Sequence, residues 1–333
     1  MKAPLGLDIS AEILPVSLVI PTRNRPAILR RTLESVAGQS AQPAEIIIID
    51  ASDDADANGS GIAVPGLQGS LIWVRAETVG AASQRNEGLP ACHYSVIAFC
   101  DDDILCEDDC ILRLWAALQS DARLGGVNAM IVNQQYHPPG AVSRLMFRLM
   151  AGCSLPSYAG RVLGPAINML PEDRADLPAV VPVEWLNTTC TIYRREALPS
   201  PPFPDHFRGY SLAEDLALSL VVSKSWKLAN ARTARIYHDS QPGSHKADVV
   251  ALAEMELFNR HYVMTEVMGR SRVADYARLA LWEFFQLAVL LVQVRAGAYF
   301  WRRLRGKLRG TCAIIRSVGR SHPLANGADV SSP

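Results

Sequence analysis

Three adjacent carboxylates, Asp101-Asp102-Asp103, follow directly on the apolar run Val96-Ile97-Ala98-Phe99-Cys100. Like charges this close raise one another's energy unless a cation or hydrogen-bond donors neutralise them. A short apolar run of this kind reads as a buried strand. In open parallel sheets, ligands sit just beyond the carboxyl ends of the strands. The triplet is therefore placed to hold a divalent cation together with an anionic ligand. Mg2+ and Mn2+ prefer oxygen donors and usually keep substrate phosphates in their shell. A second acidic pair, Glu214-Asp215, precedes the apolar stretch Leu216 to Val222. Alone, that pair also reads as two acids at a helix N-terminus, where orphan N–H groups and the helix dipole favour negative charge. Glu107, Asp108 and Asp109 fit the same helix-start account.

The elements that must position these groups alternate in kind. Val16 to Ile20 reads as a buried strand stopped by Pro21, and Ala27 to Ala37 as an amphipathic helix with Ile28, Leu29, Leu33 and Val36 on its apolar face. Glu45 to Asp50 is a strand, and 51–69 a loop rich in Gly, Ser, Asp and Ala. Strand 71–75, helix 81–89, strand 96–100, helix 110–119 and strand 126–132 follow. This alternation predicts an α/β fold with a mostly parallel, doubly wound sheet flanked by helices. From 136 to 182 the pattern weakens into Pro, Gly and Ser around one short apolar segment, Leu145 to Met150, and reads as an insertion or a mobile acceptor-side region. Two ordered segments (183–186 and 189–193), a helix at 212–223 and a strand at 235–237 come next, and the chain reads as helical from about 247 to 316. The division expected is 1–245 as the catalytic unit and 246–333 as a helical extension.

The 333 residues are 49% hydrophobic and 20% charged, which marks a folded chain rather than a disordered one. Formal net charge is zero, which argues against nucleic acid as the main partner. That total hides an asymmetry: after Glu283 no acid appears until Asp329, while Arg295, Arg302, Arg303, Arg305, Lys307, Arg309, Arg316 and Arg320 accumulate. The seven cysteines show no paired zinc spacing and suit a reducing compartment, with Cys106 and Cys110 expected on one helix face. The first 21 residues lack the order of a signal peptide, so a cytoplasmic protein is the expectation.

In order and spacing, VSLVIPTRNRP, EIIIIDASDD, ETVGAASQRNEGL, VIAFCDDDI, WLNTTCTIYRREAL and YSLAEDLALSLVVSKSWKL resemble family 2 glycosyltransferases of the GT-A fold, over roughly residues 16–240. The resemblance implies the bacterial envelope or exopolysaccharide type, with a nucleoside-diphosphate sugar as donor and a glycan or lipid-linked saccharide as acceptor. It implies that Pro21, Thr22, Arg23, Asn24 and Arg25 line the nucleotide pocket, where guanidinium groups suit a diphosphate. The same five residues also read as a helix-entry turn, with Asn24 as cap and Pro26 at the first helical position. Asp50 would read the base, commonly a uracil imide, with Ser52 and Asp53 supporting its loop. Arg85 and Asn86 would serve the diphosphate, Asp101 and Asp102 the nucleotide, and Asp103 the metal, Mn2+ or Mg2+. Asp215 would be the catalytic base that accepts the acceptor hydroxyl proton, with Glu214 orienting it. His238, or less directly His245, would complete the metal site. Trp185 and Asn187 would wall the sugar pocket, and Trp226 would pack.

Two other readings stay open. One is transfer to polyprenyl phosphate, an acceptor already anionic that needs no base. The other is a non-catalytic nucleotide-sugar-binding or scaffold protein. The stretch Leu279 to Val294 is too short and too interrupted for a membrane span. Tyr299, Phe300 and Trp301 beside the arginines suit an anionic membrane surface, and so predict a peripheral enzyme on the inner face of the cell membrane.

Overall fold

Blocks of apolar strand and amphipathic helix assemble a nine-stranded sheet covered on both faces. The computed structural model describes residues 11–53, 62–241, 248–292 and 297–321. Strands β1 (Glu12–Thr22), β2 (Ala41–Asp50), β3 (Ser70–Arg75) and β4 (Val96–Cys100) run parallel. They are followed by β5 (Ile104–Cys106), β6 (Leu124–Ile131), a hairpin of β7 (Val162–Leu163) and β8 (Ile167–Asn168), β9 (Val180–Val183), β10 (Cys190–Arg194) and β11 (Lys227–His238). The sheet order is β3-β2-β1-β4-β10-β6-β11-β5, with β9 beside β11. Strand β10 is antiparallel to both β4 and β6, and β11 is parallel to β6, so β1, β2, β4, β6 and β11 end on one edge. That edge carries Thr22, Asp50, the aspartate triplet and His238.

Helices α1 (Pro26–Ala37) and α3 (Cys110–Gln119) cover one face, through Leu29, Leu33, Val36, Ile111, Leu114 and Leu118. Helices α2 (Ala81–Gly88) and α5 (Glu214–Val222) cover the other, with Phe203 and Phe207. The three-residue strand β5 was not expected. It places Cys106 in the sheet, whereas Cys110 opens α3, so the two do not share a helix face. All seven cysteines are free, and Cys100, Cys106, Cys110 and Cys190 draw together beneath the aspartates.

Residues 136–182 fold around α4 (Ala141–Ala151) and the β7–β8 hairpin. Their core is Tyr136, Phe147, Met150, Tyr158, Leu163 and Ile167, closed by Trp282 from a helix more than a hundred residues later. Asp173 ties the segment down through ion pairs to Arg232, at 3.0 Å, and to Arg235.

Helices α6 (Val249–Tyr262), α7 (Val273–Val292) and α8 (Gly297–Ser321) complete the chain. An ion network locks them. Lys307 lies 3.0 Å from Glu256 and 2.6 Å from Glu283, Arg303 lies 2.7 Å from Glu256, and Arg260 bridges both acids. Burial opposes ionisation of Glu256, yet the charges of Arg260, Lys307 and Arg303 hold its carboxyl down at about 2. Gly306 and Gly310 let α8 sit directly on α6, since a Cβ at Gly306 would stand 2.4 Å from the Val250 carbonyl oxygen and 2.6 Å from the Ala253 Cβ. Gly306→Leu is expected to pry the helices apart and destabilise the chain by about 1–3 kcal/mol, as overpacking does. Thermal unfolding checks this, and an unchanged midpoint would contradict the packing. No described helix is long and apolar enough to cross a membrane.

Candidate active site

The triplet sits where β4 runs out, and its three carboxylates face different partners. Asp101 Oδ1 accepts from Arg85 at 2.6 Å. Asp102 Oδ2 accepts from the Thr22 hydroxyl at 2.7 Å, and Oδ1 from Arg25 at 3.3 Å. Asp103 Oδ1 lies 3.1 Å from His238 Nε2, and Oδ2 lies 3.6 Å from Arg25 and accepts from the Gln241 amide at 3.4 Å. The like charges are thus split among three sets of donors. Burial raises the Asp101 carboxyl and pushes Asp102 up to about 6. For Asp103, burial is outweighed by the hydrogen bond and charge of His238, the Gln241 amide and Arg25, which hold it below the ordinary value.

One ligand atom each from Asp101, Asp103 and His238 lies within 4.8 Å of the others. Two carboxylates and an imidazole form a donor set that suits a divalent cation of the Mn2+ or Mg2+ kind. Gln134 stands 3.2 Å from the other ring nitrogen of His238 and fixes the ring, as outer partners of metal-binding histidines do. The Asn133 side-chain amide donates to the His238 carbonyl at 2.9 Å and accepts from the His238 N–H at 3.1 Å. The second histidine considered, His245, lies outside the described residues, as does Asp54.

Arg85 is the hub. Its side chain is 2% exposed, lies 3.6 Å from Glu214 while holding Asp101, and rests over the Phe203 ring. Its Nε and NH1 have no hydrogen-bond partner, leaving buried donor capacity beside the acids. Glu214 and Asp215 open α5, and Asp215 Oδ1 accepts from the Leu216 amide at 2.7 Å. The helix-start reading of the pair is therefore met, and the pair also meets the triplet through Arg85. Burial raises both carboxyls, with each other's charge adding for Glu214.

The first loop divides its work. Asn24, at φ 57°, does not cap α1. Its amide donates to Asp53 at 2.7 Å and accepts from the Asp53 N–H at 2.9 Å. Arg25 takes the cap position without a side-chain bond, and Pro26 starts the helix. Arg23 stands on the rim, paired with Asp53 at 2.7 Å. Pro21 is a buried residue of β1 in register with Ile49. Asp50 is buried, and its Oδ1 accepts from the Ser52 amide at 2.8 Å and from its hydroxyl. Asn86 spends both ends of its amide on the Phe203 backbone, at 2.7 and 3.1 Å.

Trp185 is buried and donates to the Met169 carbonyl, so it packs, while buried Asn187 keeps an unpartnered Oδ1. Trp226 packs over Gly125. Sequence reasoning missed two contributors. Gln84 donates to the Thr22 and Ile49 carbonyls and pins the ends of β1 and β2 together. Tyr210 senses the acids: its hydroxyl is raised by burial and by the charges of Glu214, Asp101 and Asp103. The aromatic in YSLAED was the signal available for Tyr210.

Comparison with known proteins agrees with this frame. Residues 17–155 match the family described as glycosyl transferase family 2. No curated protein matches the chain by sequence. Among solved structures, a mannosyltransferase from Pyrobaculum calidifontis, in complex with GDP-Man and Mn2+, superposes with a TM-score of 0.51 at 15% identity, over 97% of this chain and 80% of its own. GalNAc-T7, with UDP, GalNAc and Mn2+, gives 0.51 at 16% identity over 76% of this chain, which spans 47% of GalNAc-T7. The fold is the GT-A fold of these transferases.

Proposed function

We propose that this chain, a glycosyltransferase whose residues 17–155 carry the family 2 domain, is an inverting, metal-dependent enzyme. It moves a sugar from a nucleoside-diphosphate sugar, UDP-sugars foremost, to a glycan or lipid-linked saccharide. One observation carries the reading: Asp101, Asp103 and His238 converge within 4.8 Å at the sheet edge, and Arg85 joins Asp101 to Glu214. The GDP-Man and Mn2+ of one similar structure, and the UDP, GalNAc and Mn2+ of the other, support the donor class and a divalent cation.

Asp101, Asp103 and His238 would hold Mn2+ or Mg2+, which supplies neutralisation of the charge that develops on the leaving diphosphate. Arg25 and Arg85 add positive charge on either side of the same position. Asp50 keeps Oδ2 for a base imide, because Ser52 occupies Oδ1. Asp215 takes the acceptor hydroxyl proton as that oxygen attacks the anomeric carbon. Glu214 and Arg85 position the base. A lipid-linked acceptor would bring the enzyme to a membrane surface, on the side of the cell where nucleotide sugars are available.

The stereochemistry is directly testable. With an α-linked donor, the first product seen by proton NMR during slow donor hydrolysis or transfer should be the β anomer. An α anomer formed first would remove the inverting assignment.

A further inference from the structure

Fourteen of the eighteen large apolar side chains that stand exposed among the described residues lie on α4, α7 and α8. Single exposed apolar residues are ordinary, but concentration in one region marks an interaction surface. On α7, Leu281, Leu291 and Val292 lie three, seven and eight residues from Phe284 and share its face, where Phe284 is 68% and Val292 81% exposed. From Leu279 to Val292 the helix has a single ionisable residue, Glu283, and it is buried against Arg260 and Lys307.

On α8, Trp301, Leu308 and Ile315 recur at intervals of seven, all exposed, with exposed Arg305, Arg309 and Arg316 beside them. Helix α4 adds exposed Val142, Leu145 and Leu149 next to exposed Arg144 and Arg148. Neither α4 nor α8 contains an acidic residue. The opposite side of α8 is fixed inward by Gly306, Gly310, Arg303 and Lys307, so the apolar and arginine side has to face out.

We propose that this surface docks on an anionic lipid bilayer, with α7 and α8 lying in the interface. Trp, Phe and Leu beside arginines, on helices that do not span, fit the plane where acyl chains meet headgroups. The arginines then meet anionic headgroups. A second copy of the chain fits less well. A two-fold contact would set these arginines against one another with no acid on α4 or α8 to receive them. The proposal extends the membrane side of the proposed function but draws on no residue of the nucleotide site, so the two can fail separately.

The test is co-sedimentation of the full chain with vesicles of phosphatidylcholine alone and of equal parts phosphatidylcholine and phosphatidylglycerol. Wild type should bind the anionic vesicles at least about tenfold more tightly. Phe284→Ser, Leu291→Ser and Trp301→Ser combined should lose about tenfold or more, as should Arg305→Glu with Arg309→Glu. Circular dichroism and metal-dependent UDP binding should stay at wild-type values in both. Three results would each overturn the surface: wild type left in the supernatant, the triple variant sedimenting like wild type, or a dimer that the triple variant dissolves without any vesicle binding. Vesicle binding lost with nucleotide binding intact removes docking alone. The converse removes the transferase reading alone.

Discussion

Asp215→Asn is expected to bind the nucleotide as wild type does and to lose roughly 100- to 10,000-fold in kcat, the range that a positioned general base contributes. The substitution keeps the shape of the side chain. It also keeps an oxygen for the Leu216 amide, so α5 should still start where it does. What it removes is the proposed proton acceptor. The pH dependence follows from the same residue. Burial raises the Asp215 and Glu214 carboxyls, and a base works only when ionised. Activity should therefore fall as the pH drops through a midpoint above the ordinary carboxylate value of about 4. The measurement is steady-state kinetics across pH, beside nucleotide binding for the variant. A loss of only a few-fold in kcat would point to an acceptor that is already anionic, such as a polyprenyl phosphate, and would remove Asp215 as the base.

Asp103→Asn should lose Mn2+ affinity by at least about a hundredfold, since losing even an outer partner of a ligand costs 10–100-fold. Asp103 is the one member of the triplet whose carboxyl is held below its ordinary value, so it offers a charged oxygen to a cation most readily. It is also the member that touches His238. The asparagine variant keeps the shape of the buried side chain, which limits structural loss. Titration of the free-Mn2+ signal by electron paramagnetic resonance reads the effect without any turnover. Wild-type affinity in the variant would place the cation elsewhere.

Much of this site could be read from the chain because each acid adjoins a recognisable apolar run. Asp50 and the triplet end strands of near-continuous buried residues, and such runs stand out without any tertiary information. The placement of His238 beyond a strand was likewise visible. Its contact with Asp103, 135 positions earlier, follows only from the parallel pairing of β11 with β6. Three features stayed hidden for physical reasons. Strand β5 is three residues long and flanked by acids, too short for a period to register. The first part of β11, Lys227 to Ala234, carries polar residues such as Asn230 and Arg232 whose partners are distant in sequence, so its strand character is not local. The fold of 136–182 depends on Trp282 and Arg232, neither of which the local composition reveals. Arg85 was legible as a candidate, but its role as the link between Asp101 and Glu214 needed the fold.

Calorimetric titration of UDP, GDP and dTDP into the wild-type chain, with and without Mn2+, tests the central claim most directly. The account predicts that one nucleotide, UDP foremost, binds strongly only when the metal is present. Equal binding of that nucleotide with and without Mn2+, or no binding of any of the three to the folded chain, would contradict it.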